Sequence, residues 1–269
     1  MQLFGTNKRL KGKITTIRKD SNMKKSVFLT AICSVMLLVS CNMENVSIGI
    51  GKKIEPSSTI TKKTYKLSSF DKIDINAVAN VKIIQSQKGE NRVVLSAPDN
   101  YIELFNFNVE GNELDVSFTK QNVNIDAKNV DLTIWTPTLS KLENSGVSNV
   151  ETDRFTADHL EVENSGVGSL FLSELTVVNL EVECTGVGNI EISGTADEAK
   201  LECSGVGSIK AERLKAKSVK GDVSGVGGIQ CYAEESLKAN VSGVGSLKYA
   251  GKPQHLETSR SGIGKIGEL

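Results

Sequence analysis

The sequence predicts an all-β protein, folded as a single-stranded, right-handed parallel β-helix. A Ser/Thr-Gly-Val/Ile triplet occurs seven times between Ser145 and Ile263, and successive triplets start 18–20 residues apart. Apolar residues alternate with charged ones between the triplets, which is the side-chain period of a β-strand. A short and nearly constant period is typical of stacked repeats. The glycine of each triplet is predicted to form a corner of the coil: Gly146, Gly166, Gly186, Gly205, Gly225, Gly243 and Gly262.

Each coil of about 18–20 residues is predicted to contain three short strands, with the explicit repeats covering residues 142–269. Parallel strands stack about 4.8 Å apart, so neighbouring coils bury each other's apolar faces. The crossover preference favours a right-handed winding. Glycine gives the corner its backbone freedom, and the Val or Ile after it is expected to point inward and seal the corner.

Strand signals begin upstream of the repeats, at Thr64. Asn112–Phe118 alternates strictly between polar and apolar residues, and Val130–Trp135 does so again before Pro137. No segment here has a convincing helical period, so these short runs indicate further strands. We therefore expect the β-helical domain to span residues 64–269, with Trp135 on a strand that alternates into the core.

The first 63 residues read as targeting and tethering segments. A basic start at Met23-Lys24-Lys25 precedes an apolar run to Val39, which is too short for a transmembrane helix. The ending Leu38-Val39-Ser40-Cys41 resembles the lipobox of bacterial lipoproteins, which implies cleavage before Cys41 and lipidation of that residue. The alternative is an uncleaved N-terminal anchor. Residues 1–40 are thus an upstream extension with a lipoprotein signal peptide, and residues 41–63 a flexible tether.

Composition excludes several classes of protein. The chain has 32 basic and 32 acidic residues, so it lacks the basic footprint of a nucleic-acid-binding protein.

Cys184 and Cys203 precede consecutive corners and should be adjacent, either as a disulfide or as two buried free thiols. Two cysteines without nearby histidines make a poor zinc site. His159 and His255 are expected at the surface, in charged, loop-like stretches, and no cofactor is indicated.

An acidic column is the most distinctive outward feature of the repeats. Numbering each repeat from its Ser or Thr as position 0, position −2 faces outward, and five carboxylates in register would repel each other. A ladder of divalent cations is one interpretation, because Ca²⁺ prefers clustered carboxylate oxygens. The other is a solvated face relieved by lysines at position −4: Lys141, Lys200, Lys220 and Lys238. The five column residues are Glu143, Glu163, Glu183, Glu202 and Asp222.

Three segments carry a resemblance to a known family. Ser69–Ile83, Val109–Val116 and the stretch from Val130 to Leu142 that leads into Ser145-Gly146 are similar to the putative auto-transporter adhesin, head GIN domain family. The resemblance covers about residue 69 to the C-terminus. It implies a β-helical, secreted or lipid-anchored envelope protein of the kind frequent in Bacteroidetes, with adhesion as a suggested role. It implies no catalytic residues. One departure is the corner, which reads Ser-Gly-Val-Gly here and often Gly-Ser-Gly in the family.

Three functions remain open at this point. The first is a non-catalytic cell-envelope protein, bound to the outer membrane through lipid on Cys41, whose rod contacts a protein or glycan ligand. The second is a carbohydrate-active β-helix enzyme, which would need a cleft with paired carboxylates and a basic residue or metal. The third is a self-assembling scaffold, joined end to end through exposed strand edges.

Overall fold

The computed structural model describes residues 51–87 and 89–269. It is a nearly all-β protein, with 68% of the described residues in strands and 3% in helices, and its parallel coils form a β-solenoid of about six turns. The predicted fold class is therefore confirmed; the right-handed winding stays a prediction.

The strands fall into an upstream group and a repeat group. The upstream strands are β1 Ile60–Lys66, β2 Lys72–Ile75, β3 Val78–Gln85, β4 Arg92–Pro98, β5 Phe105–Glu110, β6 Glu113–Phe118 and β7 Asp131–Thr136, with a 3-10 helix at Asp99–Leu104. The repeat strands are β8 Lys141–Asn144, β9 Val147–Thr152, β10 Phe155–Asn164, β11 Leu170–Cys184, β12 Val187–Cys203, β13 Val206–Val223, β14 Val226–Val241, β15 Val244–Gly251, β16 His255–Arg260 and β17 Lys265–Glu268.

Two stacks of parallel strands run along the solenoid. The stack before the corners has the order β6, β2, β8, β10, β11, β12, β13, β14, β16. The stack after the corners has the order β7, β3, β9, β11, β12, β13, β14, β15, β17. The first coil in the chain, β2 and β3, thus lies between the coil of β6 and β7 and the coil of β8 and β9. The spatial order of the coils differs from their chain order.

Antiparallel strands cover the end of the solenoid that contains β6 and β7. Strand β4 pairs antiparallel with β7, β1 pairs antiparallel with β4, and β5 with β6. This corrects the expectation of a purely parallel β-helix from residue 64 onward. The parallel stack ends at these antiparallel strands, because no further coil pairs with them. The outermost strand is β1, and its exposed lysines, such as Lys62 and Lys63, protect its free edge from pairing with another chain.

The described part of the expected tether is attached to the domain. The Ile54 amide donates to the Asn124 carbonyl at 2.9 Å, and the Tyr101 hydroxyl donates to the Ile54 carbonyl at 2.6 Å. Strand β1 starts at Ile60, ahead of the predicted boundary at Thr64. Residues 51–63 are therefore held by backbone hydrogen bonds that a composition-based interpretation does not reveal, whereas residues 41–50 lie outside the described residues.

The core follows the predicted alternation. Positions −5, −3 and −1 line one inner face, and positions +5 and +7 another; Val150, Leu170, Ile190 and Ile209 at +5 are all fully buried. Two expectations were wrong. The corner Val or Ile is not sealed inside the coil: it is half-buried in the first four corners, and in the last three Val226, Val244 and Ile263 are 50%, 57% and 84% exposed. Trp135 faces outward, with the Arg92 guanidinium 3.7 Å from the centre of its ring.

The corner glycines are required by backbone proximity. A Cβ on Gly166 would lie 2.1 Å from the Gly146 carbonyl oxygen of the preceding coil, and one on Gly227 would lie 1.6 Å from the Gly207 carbonyl oxygen. Gly227 also has φ of +152°, which L-residues rarely adopt. The corners therefore stack backbone on backbone, and the Val or Ile of each triplet is not fully buried in any described coil.

Candidate interaction surface

The acidic column exists and is longer than the sequence suggested. The five predicted carboxylates lie opposite one another on successive strands, from Glu143 to Asp222. Asp74 pairs in register with Glu143, and Asp115 pairs with Asp74, so the column continues through two upstream strands. Sequence reasoning missed these two residues because β2 and β6 lie outside the explicit repeats and stack out of chain order.

Lysines at position −4 relieve this column. The Lys141 ammonium lies 3.5 Å, 3.1 Å and 3.6 Å from carboxylate oxygens of Glu143, Glu161 and Glu163. Lys200 contacts Glu181 and Glu202, and Lys220 contacts Asp222 at 3.3 Å. Among the described residues, no group of three or more His, Cys, Asp or Glu side chains is placed to hold a metal ion. The geometry supports the solvated face and gives the cation ladder no support.

Asp74 is a member of the acidic column whose pKa is shifted by its surroundings. Burial raises the pKa of its carboxyl above the ordinary value, and the neighbouring charges of Glu143 and Asp115 raise it further, while a hydrogen bond from Ser145 lowers it. The Ser145 hydroxyl donates to Asp74 Oδ1 at 2.6 Å. Asp74 is therefore partly desolvated and forms no ion pair with any other described residue.

A second column, at position −1, lies inside the solenoid. Asn144 and Asn164 are buried and stack through a side-chain hydrogen bond. Cys184 and Cys203 are directly opposite each other on β11 and β12, and both are buried free thiols in the structure. Each sulfur contacts the carbonyl of the glycine four residues later, Gly188 or Gly207. Each sulfur thus lies close to its own corner, and the disulfide between Cys184 and Cys203 stays a prediction.

A groove with a volume of about 890 Å³ crosses the outer surface of the repeats. It follows the column at position −6, which reads His159, Asn179, Glu198, Ser218, Ser236 and His255 on successive strands. Position −4 forms the opposite wall, with Glu181, Lys200, Lys220, Lys238 and Glu257. The floor is the backbone above the buried position −5, for example Leu180, Ala199 and Val219.

Sequence reasoning did not find this groove. Both histidines are exposed, as expected, but they lie in strands β10 and β16 and not in loops. Each is six residues before a repeat serine, Ser165 or Ser261, so counting repeat positions would have placed both in one column. Counting does not give the shape of the groove, because the pairings of β11 with β12, β12 with β13 and β13 with β14 each contain a register shift that a fixed repeat does not predict.

Two predicted features cannot be placed. The lipidation residue Cys41 and the segment 1–40 lie outside the described residues. In the part of the chain that is described, no helix has the length and hydropathy of a membrane span.

These features define a class: a parallel β-solenoid whose surface carries an acidic column and a long polar groove. The chain belongs to the family described as "Putative auto-transporter adhesin, head GIN domain", whose model matches residues 69–253. The resemblance noted from the sequence is therefore confirmed. Membership in a family named for adhesins points to the cell envelope or surface. Comparison with curated proteins gives no match.

Solved structures agree with this assignment. The chain is 37% identical to a putative adhesin from Bacteroides fragilis, with a TM-score of 0.78 over 81% of this chain and 100% of that one. A putative lipid binding protein from Parabacteroides distasonis has 22% identity and a TM-score of 0.68, and a putative adhesin from Parabacteroides merdae has 21% and 0.64. Each covers 81% of this chain and 100% of its own. The last two show a shared fold only.

Proposed function

We propose that this chain is a non-catalytic, lipid-anchored protein of the cell envelope, whose β-solenoid presents an extended surface for adhesion or for contact with another envelope component. The groove of about 890 Å³ carries the proposal, since it is a long, open surface with polar walls. The family's name and the adhesin relative from Bacteroides fragilis support the same role.

The anchoring half of the proposal depends on Cys41. In cells fed a labelled fatty acid, the chain should carry label, and Cys41→Ala should remove the label and release the protein from the membrane fraction. Protease added to intact cells should degrade the domain if it faces outward, and spare it if it faces the periplasm. A C41A variant that stays labelled and membrane-bound contradicts the lipid anchor and favours the uncleaved N-terminal anchor.

Adhesion itself is tested with the membrane-anchored protein on cells. Cells that display it should adhere to immobilised host matrix or glycan more strongly than cells lacking it, and soluble domain should compete. Equal adherence of both strains across such surfaces, together with no envelope protein recovered by crosslinking, contradicts the role.

The enzyme alternative has weaker support. Glu181 and Glu198 lie on opposite walls of the groove with Lys200 beside them, but both carboxylates are exposed to water. A general acid generally needs a desolvated site to remain protonated near neutral pH. Recovery of shortened oligosaccharides after incubation with the protein is the result that favours an enzyme.

Self-assembly is supported by one observation. Every residue of strand β16 is exposed, including Leu256, so the outer side of this coil is uncovered in the described chain. An exposed parallel edge can pair with another strand. Light scattering that gives a strict monomer at all concentrations excludes assembly by this route, whereas growth of mass with concentration that Leu256→Lys abolishes supports it.

A further inference from the structure

We propose that the groove binds a linear glycan of carboxylated pyranose residues, aligned with the long axis of the solenoid. This rests on the proposed function, and names the ligand class that the surface fits. The groove is defined by the −6 column from His159 to His255 and the −4 column from Glu181 to Glu257.

The dimensions fit a repeating polymer. His159 and His255 lie five register steps apart, through Asn179, Glu198, Ser218 and Ser236, and parallel strands are about 4.8 Å apart, so the column is about 24 Å long. One coil therefore advances by nearly the length of one pyranose residue in an extended chain. An extended peptide places side chains on one face about 6.8 Å apart and loses register with the coils. The spacing favours a glycan over a peptide.

The −6 wall offers hydrogen-bonding groups that the fold does not use. Among the described residues, His159, Asn179, Glu198 and His255 have no side-chain hydrogen bond or ion pair. At the centre of this wall the Ser236 hydroxyl donates to the Ser218 hydroxyl at 2.9 Å, which leaves the Ser218 proton free to donate. Successive coils thus present one polar group each, as a chain of hydroxyl-bearing sugars requires.

The −4 wall supplies positive charge at the centre. Lys200, Lys220 and Lys238 are directly opposite one another on three consecutive strands. Their side chains are 42%, 49% and 50% exposed, and each already contacts a carboxylate: Lys200 with Glu181, Lys220 with Asp222, Lys238 with Glu257. Exposed pairs of this kind contribute little stability, so the ammonium groups are available to a ligand. The three lysines stand on strands about 4.8 Å apart, so like charges lie close together along this wall, and an anionic ligand adds to the neutralisation that the carboxylates provide.

The side chains that line the groove also disfavour a neutral sugar held by stacking against a large aromatic ring. No Phe, Tyr or Trp is among the residues lining the groove, whereas neutral sugars are commonly held against the faces of these side chains. Recognition here depends on hydrogen bonds and on charge, and carboxylates accept charge-assisted hydrogen bonds from lysine.

The test is isothermal titration calorimetry of the purified protein with hexagalacturonate, an alginate hexamer and a hyaluronan hexasaccharide. We expect at least one to bind, and Lys220→Gln to weaken that binding about tenfold, which corresponds to one hydrogen bond to a charged group. The matched control is Lys215→Gln, since Lys215 is an exposed lysine of the same strand β13 that lies outside the groove and forms no ion pair among the described residues. K215Q should bind as the unmodified protein does.

Three outcomes overturn the inference: no binding of any of the three oligosaccharides, equal losses for K220Q and K215Q, or equal affinity for neutral maltohexaose. Polyglutamate that binds as tightly as the best oligosaccharide also overturns it, in favour of an acidic protein. Cell adherence separates this inference from the proposed function. If cells carrying K220Q adhere as well as cells carrying the unmodified protein, the adhesive role stands and glycan binding in the groove is contradicted. If the protein binds an oligosaccharide but cells that display it do not adhere, the adhesive role is contradicted and glycan binding in the groove stands.

Discussion

Asn144 Nδ2 donates a hydrogen bond of 2.9 Å to Asn164 Oδ1 across two neighbouring coils, inside the solenoid. Both residues are fully buried, and Asn164 Nδ2 donates in turn to the Gly168 carbonyl at 3.3 Å. The next coils replace asparagine at this position with Cys184 and Cys203, and later ones with Val223 and Val241. From Asn144 to Val241 the interior column therefore changes from polar to apolar.

Removing one member of this pair should destabilise the domain. Asn164→Ala leaves the Asn144 amide buried without a partner, and the expected loss is about 2–3 kcal/mol in the free energy of unfolding by urea. Asn179→Ala, at an exposed position, is the control and should cost less than about 0.5 kcal/mol. The double variant N144V/N164V should recover most of the loss, because it removes both polar groups. Equal stabilities of N164A and N179A contradict this account.

The corner stacking predicts a sharp difference between two glycines. Gly227→Ala forces a Cβ against the Gly207 carbonyl oxygen and a side chain into φ of +152°, and we expect a loss of about 3 kcal/mol or more. Gly267→Ala places its Cβ where no atom lies within 4 Å, so its melting temperature by circular dichroism should stay close to that of the unmodified protein. Melting temperatures lowered alike in both variants would show that the corner is not the cause.

The interior thiols should be unreactive in the folded protein. The neighbouring Cys203 and burial raise the pKa of the Cys184 thiol, and burial raises the pKa of Cys231 to about 12, so little nucleophilic thiolate forms at these two residues at neutral pH. The hydrogen bond with Cys184 lowers the pKa of the Cys203 thiol, but this side chain is fully buried, so a reagent does not reach it in the folded protein. Maleimide followed by peptide mass spectrometry should modify the peptides of Cys184, Cys203 and Cys231 only after denaturation. A peptide pair linked through Cys184 and Cys203 without reductant is the finding that would restore the disulfide.

Asp74 predicts a stability that depends on pH. Its pKa is higher in the folded protein than the ordinary value of 3.8, so the folded state binds the proton more tightly than the unfolded state. The charged form therefore costs stability at pH above the folded pKa, and this cost disappears as the pH falls below 3.8. Asp74→Asn should raise the melting temperature at pH 7 by up to about 2 °C, roughly half a kcal/mol, and leave it unchanged at pH 3.

The control for this prediction is Asp158→Asn, at an exposed carboxylate that forms no hydrogen bond or ion pair among the described residues. It should leave the melting temperature unchanged at both pH values. A D74N variant that is less stable at pH 7 than the unmodified protein indicates that the Ser145 hydrogen bond outweighs burial at Asp74.

The repeats could be read from the sequence because two periods coincide in them. The two-residue alternation of apolar and polar side chains assigns inner and outer faces, and the corner spacing of 18–20 residues assigns columns. Ile190 and Ile209 could therefore be placed in one core layer, and Glu183 and Glu202 in one outer column. The corner valines were misplaced for a specific reason. Glycines such as Gly207 and Gly227 stack backbone on backbone, which leaves no room for a side chain beneath the corner.

The upstream half was less predictable. Phe118 and Trp135 belong to strands that the alternation identified, yet nothing in that pattern says which neighbour each strand pairs with. Strand β2 pairs with both β6 and β8, which are far from it in the sequence. The sequence alone therefore did not indicate that Asp115 and Asp74 extend the acidic column. Pairing across such distances depends on packing of the whole molecule.

The sequence by itself determined the class of fold and the columns of this protein, because a strand that must bury every second residue and turn at a fixed interval can satisfy both demands only by stacking coil on coil. Tertiary structure decided the insertion of β2 and β3 between later strands, the antiparallel cover on one end and the groove between His159 and His255. These three features depend on which strands pair and how they pack in space, and the spacing of residues along the chain does not specify either.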